Sequence, residues 1–163
     1  MNAAYFLIPK AKTAFLYADY TVRQGLEKLH HYGYTAIPVL NRDGTYLSTV
    51  SEGDFLWYLV RGEGNESYQI DIRKTESIPL SEVLRTDRNP PIRITDSVEA
   101  LLERSLSQNF VPVIDDRGIY IGLITRRDII HYFYDHPDRE DLSQAVRESP
   151  YTASQAQQLL RQS

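Results

Sequence analysis

Apolar residues follow two rhythms along this chain, a helical one and a strand-like one, and each set occurs twice. Val22, Leu26 and Leu29 fall on one helical face, and Val98, Leu101, Leu102 and Leu106 repeat that stripe further on. Capping-box patterns open both stretches, Thr21-x-x-Gln24 in the first copy and Asp96-x-x-Glu99 in the second. Two short apolar runs come next, residues 35–40 and 46–50, around the polar tetrad Asn41-Arg42-Asp43-Gly44. Their counterparts are 110–114 and 120–124, around Asp115-Asp116-Arg117-Gly118. A polar turn with a late glycine between two apolar runs predicts a hairpin. Helices are predicted to close the copies over 54–61 and 128–135, and short β-rich segments to open them over 13–17 and 91–94. Each copy thus reads β-α-β-β-α, an α/β unit whose strands need helical cover.

The copies are in register. Ala36-Ile37-Pro38-Val39-Leu40 returns as Phe110-Val111-Pro112-Val113-Ile114, and Ser51-Glu52-Gly53-Asp54 returns as Thr125-Arg126-Arg127-Asp128. Pro112 follows Pro38 by 74 residues, and Asp128 follows Asp54 by the same 74. A duplicated unit of about 60 residues accounts for this. The expected organisation is repeat one over residues 1–61, a polar linker over 62–77 and repeat two over 78–135. A tail over 136–163, helical or frayed, completes it. Residues 80–84 are expected to form a short amphipathic turn leading into repeat two.

Composition narrows the classes. Among 163 residues, 42% are hydrophobic and 25% charged, the balance of a chain that buries a real core. No apolar run nears the roughly 18 residues that a membrane span requires. The first residues lack the apolar core and cleavage site of a secretory signal. Cysteine is absent, which excludes disulfides, thiolate metal sites and cysteine nucleophiles, and a cytoplasmic location fits best. The net charge of −4 lacks the basic footprint of a nucleic-acid binder. The four histidines, in two separated pairs, have no convergent carboxylates and do not suggest a metal site.

The chemistry gathers at the repeated turns. Ser51-x-x-Asp54 and Thr125-x-x-Asp128 before apolar stretches are capping boxes, and they also sit where a helix N-terminus favours a phosphate. A hydroxyl there can bond phosphate oxygen, and the carboxylate can accept from ribose hydroxyls. Pro38 and Pro112 lie inside predicted strands, where proline belongs at an edge or bulge. Such a strand leaves backbone carbonyls open to a donor such as the amine of adenine.

Gly122-Leu123-Ile124-Thr125-Arg126-Arg127-Asp128 after an apolar-Pro-Val-apolar strand resembles the CBS-domain signature. Ser48-Thr49-Val50-Ser51-Glu52-Gly53-Asp54 matches it except that Ser48 replaces the glycine. Two such copies resemble a tandem CBS pair, or Bateman module, packed about a pseudo-two-fold axis. The resemblance implies a non-catalytic regulator with no catalytic residues. It would bind an adenine nucleotide (AMP, ADP, ATP or cyclic di-AMP) as a regulatory ligand in clefts between the repeats. It further implies a homodimer and signalling in trans to an effector protein. The alternatives are an S-adenosylmethionine sensor and a ligand-free dimerisation module.

Carried over by position, Asp54 and Asp128 match the ribose-binding aspartate, and Ser51 and Thr125 the phosphate-side hydroxyl. Ala36-Ile37-Pro38, Phe110-Val111-Pro112, Thr13-Ala14 and Pro91-Ile92 match the walls near the base. Arg126 and Arg127 are expected to pair with phosphate, making the second motif the better anion binder. Lys10 and Lys12 would lend charge to the first. The stretch from Gly33 to Leu40 and the basic segment before it also resemble small stand-alone CBS proteins that sense cyclic di-AMP.

Overall fold

The computed structural model describes residues 3–61 and 72–136. The tail expected from residue 137 onward and most of the expected linker lie outside the described residues. Thr21 opens helix α1 (Val22–Tyr32) with a complete capping box, and Gly33 closes it in the left-handed conformation at φ 66°. Helix α3 (Val98–Ser107) starts differently from the sequence expectation. Ser97, not Asp96, caps it by accepting from the Ala100 amide, while Asp96 accepts from the Arg93 amide one turn earlier. The closing helices α2 (Glu52–Arg61) and α4 (Arg126–Asp135) begin directly after Ser51 and Thr125.

The strands form two sheets. One has three strands in the order β2 (Leu16–Tyr17), β3 (Ala36–Leu40), β4 (Tyr46–Ser51). The other has four, β1 (Ile8–Pro9), β7 (Tyr120–Thr125), β6 (Phe110–Ile114), β5 (Ile92–Arg93). In both, the first strand of the repeat runs parallel to the hairpin's first strand, with α1 or α3 as the crossover. Both hairpins carry an irregularity at the same place, Val39/Leu40 and Val113/Ile114.

Pro38 and Pro112 are therefore in inner strands close to those irregularities, so of the edge or bulge expected it is the edge that the structure corrects. The sheet tolerates them because β2 pairs only Val39 and Leu40, and β5 only Val113 and Ile114. The ladder on that side begins after the proline, so no strand hydrogen bond is lost there.

Each sheet packs its helices onto a core of equivalent residues. Leu16, Val22, Ile37, Val39, Val50 and Phe55 fill the first; Ile92, Val98, Val111, Val113, Ile124 and Ile129 fill the second. The leading segments are exchanged. Leu80 and Val83, at the start of repeat two, are buried in the first core, and Ala3 and Phe6, at the start of repeat one, are buried in the second. Strand β1 completes the exchange by pairing with β7, Ile8 opposite Leu123 and Pro9 opposite Gly122.

The hairpins meet at a pseudo-two-fold axis. The Tyr46 amide donates to the Gly118 carbonyl and the Tyr120 amide to the Gly44 carbonyl, both at 3.0 Å. Gly44 and Gly118 hold φ of 89° and 82°, a turn geometry that a side chain would strain.

Candidate functional site

A cavity of about 280 Å³ opens between the repeats, near the lower end of the roughly 300–1,000 Å³ usual for small-molecule pockets. One wall is the segment before β2, with Lys12, Thr13 and Ala14. A second is the start of β3, from Tyr34 through Pro38. The third comes from the other repeat: Asn109 and Phe110 at the start of β6, and Leu123 and Thr125 from β7. The cleft thus joins the front half of repeat one to the Thr125 motif of repeat two.

Local structure explains each wall. From Ala36 to Pro38 the side of β3 toward β2 has no strand partner, so its backbone faces the cleft unladdered. Ile37 points into the core with no exposure, which leaves its backbone as the part that meets the cavity. Thr13 is held by its hydroxyl, which donates to the Lys10 carbonyl at 3.0 Å and accepts from the buried Tyr120 hydroxyl at 3.1 Å. Burial pushes the Tyr120 phenol up to about 12, keeping it a neutral donor.

At the far wall Thr125 caps α4. Its Oγ1 donates to Asp128 Oδ2 at 2.6 Å and accepts from the Asp128 amide at 3.1 Å. Asp128 is exposed, and its Oδ1 has no hydrogen-bond partner among the described residues. Arg126 Nε donates to the Gln108 carbonyl at 3.1 Å, whereas Arg127 is exposed and unpaired among the described residues. Lys12 likewise has no ion-pair partner among the described residues, and it lines the Thr125 cleft rather than the Ser51 turn.

Seven expected residues line this cavity: Thr13, Ala14, Ala36, Ile37, Pro38, Phe110 and Thr125. Asp128 is joined to it through Thr125. Ser51, Asp54, Pro91, Ile92, Val111, Pro112, Arg126 and Arg127 are not in its lining. Ile92 and Val111 are core residues. The register also shifts one equivalence. Leu16 lies opposite Val39 and Ile92 opposite Val113, so Thr13-Ala14 corresponds to Asn89-Pro90 rather than Pro91-Ile92. Ile8, Tyr34, Thr35, Asn109 and Leu123 also line it and were not among the expected residues, and Lys12 lines it although it was expected beside the first motif. Tyr34, Thr35 and Asn109 sit just ahead of a strand, and it takes the pairing of β2 with β3 together with that of β1 with β7 to bring those approaches to one cleft.

Asp54 has a different environment from Asp128. It is buried, and Oδ2 accepts from the Ser51 amide and hydroxyl, both at 2.8 Å. Oδ1 accepts from Arg88 Nη1 at 2.6 Å. No helix among the described residues is long and apolar enough to cross a membrane.

Known proteins share this architecture. The cyclic di-AMP receptor B of Bacillus subtilis (strain 168) is 26% identical over 131 residues, which cover 80% of this chain and 85% of that protein. The solved CbpB protein of Listeria monocytogenes in complex with c-di-AMP has a TM-score of 0.72 at 22% identity, covering 82% of this chain and 95% of that one. CBSX2 in complex with AMP superposes with a TM-score of 0.65 at 23% identity, over 82% of this chain and 96% of that one. The CBS domain family model matches residues 8–61 and 80–135, one copy for each repeat. With both copies matched and folded into a tandem pair, the chain belongs to the CBS-domain family.

Proposed function

We propose that the protein is a non-catalytic sensor that binds an adenine nucleotide in the cleft between β3 and the N-terminus of α4. The observation that carries this reading is the cavity's composition. It combines an unladdered strand backbone, two aromatic side chains, a free lysine and a capped helix start. Backbone donors and acceptors from Ala36 to Pro38 suit the polar edge of adenine, and Tyr34 and Phe110 offer ring faces to the base. Asp128 Oδ1, open among the described residues and next to Thr125, suits a ribose hydroxyl as donor. Thr125, the positive end of α4 and Lys12 suit phosphate.

Similarity to cyclic di-AMP receptor B puts the cyclic dinucleotide first among candidates, with AMP next. A ligand alters a sensor's output only through unequal affinity for two states, so an effector protein that distinguishes them is part of the proposal. Leu56 and Ile130, at equivalent places on the closing helices, are 54% and 59% exposed, which supports self-association into a homodimer.

Isothermal calorimetry of the nucleotide-stripped chain against c-di-AMP, AMP, ADP, ATP and S-adenosylmethionine tests this, with light scattering giving the mass of the same sample. The expected result is adenine-nucleotide binding by a dimer. Asp128→Ala should weaken that binding by at least about tenfold, roughly 1.4 kcal/mol. Heat from S-adenosylmethionine alone would replace the ligand class. No heat across the panel would leave a ligand-free dimerisation module.

A further inference from the structure

The two Ser/Thr-x-x-Asp turns are alike in sequence and unlike in surroundings. Asp128 is exposed with one oxygen unpaired among the described residues; the Asp54 side chain is 4% exposed with both oxygens bonded. The difference lies in the segment that crosses each turn. Pro9 runs opposite Gly122, and the Arg85 carbonyl takes the equivalent place by accepting from Ser48 Oγ at 2.9 Å. Leu16 and Ile92 are equivalent by strand register. Between these anchors the spacing is the same, so Arg88 stands where Lys12 stands in the other repeat.

Lys12 lines the open cavity, whereas Arg88 bonds Asp54 at 2.6 Å, and Arg85 Nε adds charge at 4.0 Å. The backbone around Arg88 is specialised. Asp87 and Asn89 on either side hold φ of 59° and 50°, a left-handed geometry uncommon outside glycine. Tyr46 fixes the second of them by donating to the Asn89 carbonyl at 2.8 Å. Two such residues bracketing one arginine aim its side chain at Asp54.

We propose that Arg88 is a built-in occupant of the first cleft. Its guanidinium holds the carboxylate oxygen that Asp128 leaves open to a ligand hydroxyl, so the chain takes one nucleotide, at Thr125 and Asp128. A neutral ribose hydroxyl cannot displace it without leaving a buried carboxylate without its cation, which is strongly unfavourable. The inference rests on the nucleotide reading of the open cleft and assigns the Ser51–Asp54 turn a structural role.

The test is binding stoichiometry, by calorimetry with c-di-AMP and with AMP on the full chain. The wild type should bind one ligand per chain, Asp54→Asn should keep that site with its affinity within about threefold, and Arg88→Ala should add a second, weaker site. Two sites in the wild type, loss of the site in Asp54→Asn, or a folded Arg88→Ala with no added site would each overturn it. If Arg88→Ala does not fold, Asp54→Asn decides alone, since an amide keeps the shape of the carboxyl group. No binding by the wild type would refute the nucleotide reading itself, a result distinct from the loss of the site in Asp54→Asn.

Discussion

Ser48 and Gly122 are the one mismatch between the two family signatures, and the structure gives it a cause. A Cβ on Gly122 would lie 2.1 Å from the Ile8 carbonyl oxygen of β1, at a φ of 156° that side chains rarely adopt. At Ser48 the crossing segment stands off far enough for a hydroxyl to reach the Arg85 carbonyl instead. Gly122→Ala should therefore destabilise the chain by about 1–3 kcal/mol in urea unfolding, the range for forced overpacking. Gly53 is a control, since a Cβ there would meet only Ser51 Oγ at an ordinary 3.7 Å. Gly53→Ala should be neutral or stabilise by up to about 1 kcal/mol, because alanine loses less freedom on entering a helix. Equal losses for the two would contradict this account of β1. At this scale the Ser/Thr-x-x-Asp motifs were legible, because their geometry is local. The partner of Asp54 was not, since Arg88 is distant in sequence and meets it through two left-handed residues that no pattern announces.

Among elements, the hairpins carry the joint between repeats, and the half-buried Tyr46 and the buried Tyr120 mark it. Tyr46 and Tyr120 stack with ring centroids 6.4 Å apart. Burial raises both phenols above their ordinary value, Tyr120 to about 12. The sign follows from linkage: both are held neutral in the fold, while the unfolded chain releases these protons near pH 10. Their contribution to stability is thus present in full below about pH 10 and is lost as pH rises toward 12. Alkaline unfolding followed by phenolate absorbance should show it, with Tyr120→Phe less sensitive than the wild type between those values. An identical alkaline limb would show that the joint is looser than described. The hairpins, the crossover helices and the first cap were all readable from apolar spacing and turn residues. Two features were not. Ser97 displaced Asp96 as the cap because adjacent residues are both good caps, and only the path of β5 decides between them. Pro38 and Pro112 suggested an edge or a bulge, but the two-residue length of β2 and β5 lets inner strands accept them.

For the whole molecule, the exchange of leading segments is what makes a cleft. Lys12, Thr13 and Ala14 reach the Thr125 motif because β1 is anchored on β7, so repeat one supplies a wall beside the other repeat's helix start. The duplication was plain in the sequence, and with it the α/β class and the approximate position of the cleft. The crossing of the N-terminal residues onto the second core was not, since Ala3 and Phe6 touch residues far along the chain. The most direct test of the central claim, an adenine nucleotide in the cross-repeat cleft, is a titration of the isotope-labelled chain with c-di-AMP, read at backbone amides by NMR. The largest shifts should cluster at Thr13, Ala14, Tyr34–Ile37, Phe110 and Thr125–Asp128, with Ser51–Asp54 little changed. Shifts centred on Ser51–Asp54 and Arg88, or none at the cleft under saturating nucleotide, would contradict it.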